Sequence, residues 1–193
     1  MSPEFAPLSV HVDLLPYEGR LETRSIDQVD VVVIHCTELP DLAISRHYGE
    51  RVLYPVSQTG NSGHYYIDRD GAVHQFVRNE RIANHTRGYN PRSIGIELVN
   101  TGRYPDWLDS RRQAMDEPYT EAQIVALVAL LRRLQTRMPA LRSIAGHEDL
   151  DITEVGATDD PSRAVRRKLD PGPLFPWSRV LEAIKLRRLQ PES

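Results

Sequence analysis

Cys36 is the only cysteine among 193 residues, so no internal disulfide is possible and stability must come from packing. No apolar run reaches the roughly 18 residues that a membrane-spanning helix requires. Net charge is also scarce: 24 Lys and Arg against 27 Asp and Glu leave −3. That balance offers no general attraction for nucleic acid or an anionic membrane, and no segment points to an obligate protein partner. The opening MSPEFAPLSV lacks the basic and continuous apolar regions of a secretory signal. Cytoplasmic residence is therefore expected, with periplasmic or secreted residence the alternative if a leader has been removed and SPEF is vector-derived.

What is present is ordinary for a soluble globular chain, 40% apolar and 26% charged. At this length one domain buries roughly 70% of its unfolded surface. We read residues 1–28 as an irregular N-terminal arm and 29–190 as a single domain. QVDVVVIHCTE, Gln28 to Glu38, carries the unbroken β-branched run of a strand buried on both faces. A short helix is expected from about Asp41 to Leu53. A hairpin follows, with strands near 64–69 and 72–77 about the turn pair Asp70-Gly71. RSIGIELVN, residues 92–100, alternates as a strand. Thr120 with Gln123 three residues on predicts a reciprocal helix cap. Ile124, Leu127, Val128, Leu131, Leu134 and Met138 then mark one apolar face, and Pro139 ends it. A strand near 142–146, a polar loop insert at 149–165 and a helix from Ser178 to Leu189 complete the chain. Strands interleaved with helices indicate an α/β fold, and the hairpin makes its central sheet mixed.

Several residues can carry chemistry. His35 ends the apolar strand and His147 follows another, the place where α/β folds put active sites; the bland reading is a hydrogen-bonded rim histidine. A catalytic zinc takes three protein ligands and leaves a position open. Asp170 would suit as the third, although Asp149, Asp151, Asp159 and Asp160 also lie downstream of His147. Lys168, two residues before Asp170, shares its side of an extended segment; it either stabilises an oxyanion or belongs to the charged run Arg166, Arg167, Lys168. Glu97 interrupts an apolar strand and is either solvent-facing or held at a site. Cys36 faces away from His35 and reads as a core thiol.

VVVIHCTE, SGHYYIDRDGAVHQFV, NPRSIGIELVN, AGHEDL and RRKLDPGPLFPW occur in this order. Together they resemble the zinc-dependent N-acetylmuramoyl-L-alanine amidases, including the phage-lysozyme type and the anhydro-muropeptide amidases, over about residues 29–178. Peptidoglycan recognition proteins share that fold. The resemblance implies a central mixed β-sheet flanked by helices, with one zinc ion on His35, His147 and Asp170. It implies Glu97 and Lys168 as catalytic residues and His85 in the substrate groove. The implied reaction cleaves the amide between N-acetylmuramic acid, or its 1,6-anhydro form, and L-alanine of the stem peptide, in peptidoglycan recycling or turnover. The partner is thus a muropeptide or peptidoglycan. The alternative is a non-catalytic peptidoglycan-binding module on the same fold. Two departures stand out. Asn84 replaces the aromatic residue common before the groove histidine, bearing on a sugar or peptide subsite, and the 149–165 insert is longer than usual. Arg87, Arg92 and Arg103 are either partners for stem-peptide carboxylates or ordinary surface charge.

Overall fold

A computed structural model describes residues 8–189; the SPEF segment lies outside them. In chain order the strands are β1 Val10–Val12, β2 Val31–Cys36, β3 Tyr65–Ile67, β4 Val73–Gln75, β5 Ser93–Leu98, β6 Ser143–Gly146, β7 Glu154–Gly156, β8 Ala164–Arg166 and β9 Arg187–Arg188. The helices are α1 Leu42–Gly49, α2 Glu121–Arg137, α3 His147–Leu150 and α4 Trp177–Ala183.

Seven strands form one sheet in the order β1-β4-β3-β5-β2-β6-β9. The β3–β4 hairpin is antiparallel, whereas β2 runs parallel to both β5 and β6. The sheet is therefore mixed, as the hairpin predicts. Val32 and Ile34 of β2, Ile94, Ile96 and Leu98 of β5, and Ile144 of β6 pack with the apolar face of α2 and with Val180 of α4. On the other face Tyr66 and Phe76 meet Leu15, Tyr17 and Leu21, with Leu42 of α1 against them.

The α2 cap is built as its sequence dictates. The Thr120 hydroxyl accepts from the Gln123 amide at 3.1 Å, and Gln123 Oε1 accepts from Thr120 N–H at 3.1 Å. Gln123 is buried, and its Nε2 donates to the Val99 and Ile67 carbonyls at 2.9 and 3.3 Å. One side chain thus caps the helix and ties it to the ends of β3 and β5.

Four expectations need correction. The segment read as an irregular arm supplies edge strand β1, which pairs with β4, and buries Leu15, Tyr17 and Leu21. Arg24 is also buried, and it donates to the carbonyls of Asn79, Asn90, Pro91 and Ser93. The polar insert is not a plain loop: β7 and β8 pair as a separate two-stranded ribbon. The last helix stops at Ala183, because the chain turns extended at Ile184 to hydrogen-bond the free edge of β6. Arg187 N–H reaches Arg142 O at 3.0 Å, and Leu189 N–H reaches Ile144 O at 2.8 Å. Helix α1 likewise ends at Gly49 rather than Leu53.

Gln123 yields a stability prediction. Thr120→Ala removes one cap bond and should cost about 1 kcal/mol. Gln123→Ala also strips the buried Val99 carbonyl of its donor, so denaturant unfolding should show a loss of about 1–3 kcal/mol. Equal losses for the two variants would contradict the bridging role.

Candidate active site

The sheet's two faces divide the labour along β5. Ile94, Ile96 and Leu98 point into the α2 core, while Ser93, Gly95 and Glu97 point the other way. On β2 the same alternation leaves His35 on the second face, in register beside Glu97. Strand β6 lies on the opposite side of β2 and delivers His147 directly after Gly146.

The return segment after β8 brings in the third group. Asp170 Oδ2 lies 2.9 Å from His35 Nδ1 and 3.2 Å from His147 Nδ1. His35, His147 and Asp170 are each 2–3% exposed. The segment is pinned by Glu148 N–H to Asp170 O at 2.9 Å and by Tyr119 O–H to Pro171 O at 2.7 Å. Arg103 fixes the approach: it donates to the Arg166 and Arg167 carbonyls while its guanidinium grips Glu38 through two bonds, at 2.7 and 3.0 Å. Glu38 follows the exit of β2, so one buried ion pair ties the His35 end to the Asp170 end.

Burial, reinforced by His147, pulls the His35 imidazole down to about 4 despite the Asp170 carboxylate. Burial alone would raise Asp170, but His147, His35 and Lys168 together hold it well below the usual carboxylate range. A neutral imidazole and an ionised carboxylate are the forms that ligate a metal. Ligand atoms of His35, His147 and Asp170 all lie within 4.8 Å of one another, within reach of one ion with bonds of about 2.0–2.2 Å. Asp170 Oδ1 is buried with no hydrogen-bond partner among the described residues, as expected for an oxygen kept for a cation. The residues fit a metal ion.

The remaining nitrogen of His35 is also occupied. His35 Nε2 lies 3.0 Å from His85 Nδ1, and His85 Nε2 lies 3.0 Å from Ser93 Oγ. Thr86 Oγ1 approaches both rings, at 3.3 and 3.0 Å. Asn90 Oδ1 accepts from the backbone N–H groups of His85 and Thr86, which fixes this turn. His85 fits because position 95 lacks a side chain: a Cβ there would stand 2.7 Å from the ring. Gly63 clears the same kind of space for Glu97, whose Cγ would lie 2.8 Å from an added Cβ.

Glu97 is therefore at the site rather than in solvent. Burial, then the Asp170 charge, push its carboxyl well above the usual range, with Lys168 pulling the other way. Lys168 and Asp170 both line the groove, whose volume is about 640 Å³. Asn84, His85 and Arg87 line it too, as do Tyr48, Arg51, Tyr54 and Trp107. Of the other arginines weighed from sequence, Arg103 lines the groove but is committed to Glu38, and Arg92 lies elsewhere, paired with Asp30 at the opposite end of the strands. Cys36 is buried, and its thiol is pushed well above its ordinary range by that burial. It is a core residue.

His64 escaped the sequence reading, because nothing in SGHYYI distinguishes it from an ordinary pre-strand histidine. It is fully buried; its Nδ1 accepts from Gly95 N–H at 3.0 Å, and Nε2 lies 3.1 Å from Arg81 O. Its ring lies edge-on to His85, with centroids 5.6 Å apart.

The sequence profile described as N-acetylmuramoyl-L-alanine amidase matches residues 25–173. The chain belongs to this family. It is 36% identical over 122 residues to the 1,6-anhydro-N-acetylmuramyl-L-alanine amidase AmpD of Enterobacter cloacae, covering 58% of this chain and 51% of that one. The chain thus spans about half the length of that curated relative. A solved selenomethionine AmpD derivative superposes with a TM-score of 0.64 at 25% identity, over 91% of this chain and 94% of that one. The Escherichia coli amidase AmiD, solved with the substrate anhydro-N-acetylmuramic acid-L-Ala-D-gamma-Glu-L-Lys, superposes with a TM-score of 0.61. It is 26% identical, over 81% of this chain and 57% of that one. Mixed sheet and flanking helices are thus the amidase fold, as the motifs led us to expect.

A pH prediction follows from His64. Burial, then the nearby Arg24, lower its imidazole from 6.5 to about 3, so the fold resists the proton that the unfolded chain accepts. Stability present above pH 6.5 should therefore fall as pH drops from 6.5 towards 3, by about 1.4 kcal/mol per pH unit from this group. Urea unfolding across that window checks it, and His64→Gln should flatten the slope whatever its absolute stability. An unchanged slope in the variant would remove His64 from the account.

Proposed function

We propose that this chain is a zinc-dependent amidase. It cleaves the amide between N-acetylmuramic acid, or its 1,6-anhydro form, and L-alanine of the stem peptide. The observation that carries this reading is the convergence of His35, His147 and Asp170 on one point of a groove that also presents Glu97 and Lys168. Family membership and the ligand named for the AmiD complex support the substrate class.

Zinc would be held by His35 Nδ1, His147 Nδ1 and the Asp170 carboxylate, and when bound it would acidify water and polarise the scissile carbonyl. In the reaction the oxygen of water adds to the lactyl carbonyl carbon and the C–N bond breaks. The products are the lactyl carboxylate and the free amine of L-alanine. Glu97 takes the proton from water and delivers it to the departing nitrogen, a task suited to a carboxyl of raised proton affinity. Lys168 places its ammonium against the charge that gathers on the carbonyl oxygen. His85, itself braced by the Ser93 hydroxyl, holds the outer nitrogen of His35, so the ring keeps its aim on the metal position. Asn84, beside His85 in the groove wall, and Arg87, at its rim, contact substrate. Arg87 faces the stem-peptide carboxylates in this reading, since it lines the groove and, among the described residues, neither a hydrogen bond nor an ion pair commits it elsewhere.

The variants separate hydrolysis from simple binding. His35→Ala and Asp170→Ala should lose bound zinc and all turnover, measured by metal analysis and by mass detection of free stem peptide. Glu97→Gln should keep zinc and lose about 10²–10⁴ in kcat. A zinc-loaded wild-type protein that binds the muropeptide but never releases stem peptide would instead be the non-catalytic module.

His85 gives a second measurement. His85→Ala should weaken zinc binding by about 10–100-fold in chelator competition, with Ser93→Ala in the same direction. Unaltered zinc affinity in both would leave His85 solely a groove residue.

A further inference from the structure

The ribbon of β7 and β8 forms a two-stranded sheet separate from the main one, and most of its tip is exposed. Its outer attachment is specific. Thr158 N–H donates to Leu108 O at 2.8 Å, and Asp159 receives both Ser110 N–H, at 2.7 Å, and Ser110 O–H, at 2.9 Å. Arg111 Nε also lies 3.3 Å from Asp159. The stretch so gripped, Leu108 to Arg111, begins with Leu108, which walls the groove next to Trp107.

The base of that wall is held independently of the ribbon. Trp107 Nε1 donates to Glu38 O at 3.0 Å, and Gln113 Nε2 donates to Trp107 O at 3.0 Å. Beyond Trp107, Leu108 has its carbonyl on Thr158, and Ser110 is bound by Asp159. The far end of the same ribbon runs from Arg166 into Lys168 and Asp170, with its carbonyls held by Arg103. The ribbon is thus joined to the catalytic segment at one end and to the Leu108–Ser110 stretch at the other.

We infer that the ribbon is a specificity element that fixes the Trp107–Leu108 wall of the groove, and that Asp159 is its positioning residue. Asp159 lies outside the metal cluster and acts through Ser110, so it should govern how firmly the sugar-peptide is held rather than how fast the bond breaks. This rests on the amidase reading for the identity of the ligand. It does not rest on it for the mechanics of the wall.

The test uses the zinc-loaded full chain and an anhydro-muramyl tripeptide. Asp159→Ala should raise KM, and the Kd measured by calorimetry, about tenfold, the equivalent of one or two lost hydrogen bonds. Both kcat and zinc content should stay within about twofold. Asp159→Asn keeps a carbonyl acceptor for the Ser110 amide and should restore most of the affinity. Unchanged Kd in Asp159→Ala overturns the proposal, and so does a loss of kcat or zinc that accompanies any rise in KM. Should the wild type cleave nothing, the amidase reading fails, yet the Kd comparison still decides the role of the ribbon.

Discussion

A carboxylate and two imidazoles, each all but sealed from solvent, meet at one point in this chain. Removing so many polar atoms from water is tolerable only while they bond to one another or to a cation. The rest of the architecture answers to that meeting. Parallel β2 and β6 lie side by side, so two histidines from distant stretches reach the same end of the sheet. The Asp170 segment must then return to them from outside the sheet, and the Glu38–Arg103 pair keeps it there. Breaking such a pair would leave a buried charge unmatched, so the segment cannot drift from the strand it serves.

Alternation along two short strands allows core and chemistry to coexist. Each residue that packs on α2 is followed by one facing the groove, and SIGIEL shows the arrangement in six letters. Its apolar members are fully buried against α2. Between them come a hydroxyl that meets His85, a bare position under the His85 ring, and the Glu97 carboxyl. The rigidity of the first set holds the second at fixed distances, as a site that must hold its groups in place requires.

Much of this was legible beforehand because the signals were local. The capping pair Thr120 and Gln123, the β-branched run ending at His35, and the Asp-Gly turn each depend on neighbours in sequence. His35, His147, Asp170, Glu97 and Lys168 are singled out by ordered motifs, and the structure brings them to one groove. What stayed hidden depends on partners far away in the chain. Arg103 looked like an available cation because Glu38, its mate, lies 65 positions earlier. His64 gave no sign of burial, since its environment is made by Arg24, Arg81 and Gly95. The ribbon was missed because Val155 and Val165 sit among polar residues, and a two-stranded hairpin with so little apolar surface leaves almost no pattern. The terminal helix was overextended because an open sheet edge can claim a segment whose own propensity favours helix.

Arg24 bears on how such a chain can be divided. The family match begins one residue after it, yet its guanidinium gathers the carbonyls of Asn90, Pro91 and Ser93, next to the turn that carries His85. An excision made along the homology boundary would leave those oxygens to find other donors, and β4 would become a naked edge without β1. Sequence kinship and mechanical self-sufficiency therefore have different borders here. A transplantable unit must also carry the stretch from Val10 to Arg24, which serves the sheet and the turn rather than the chemistry.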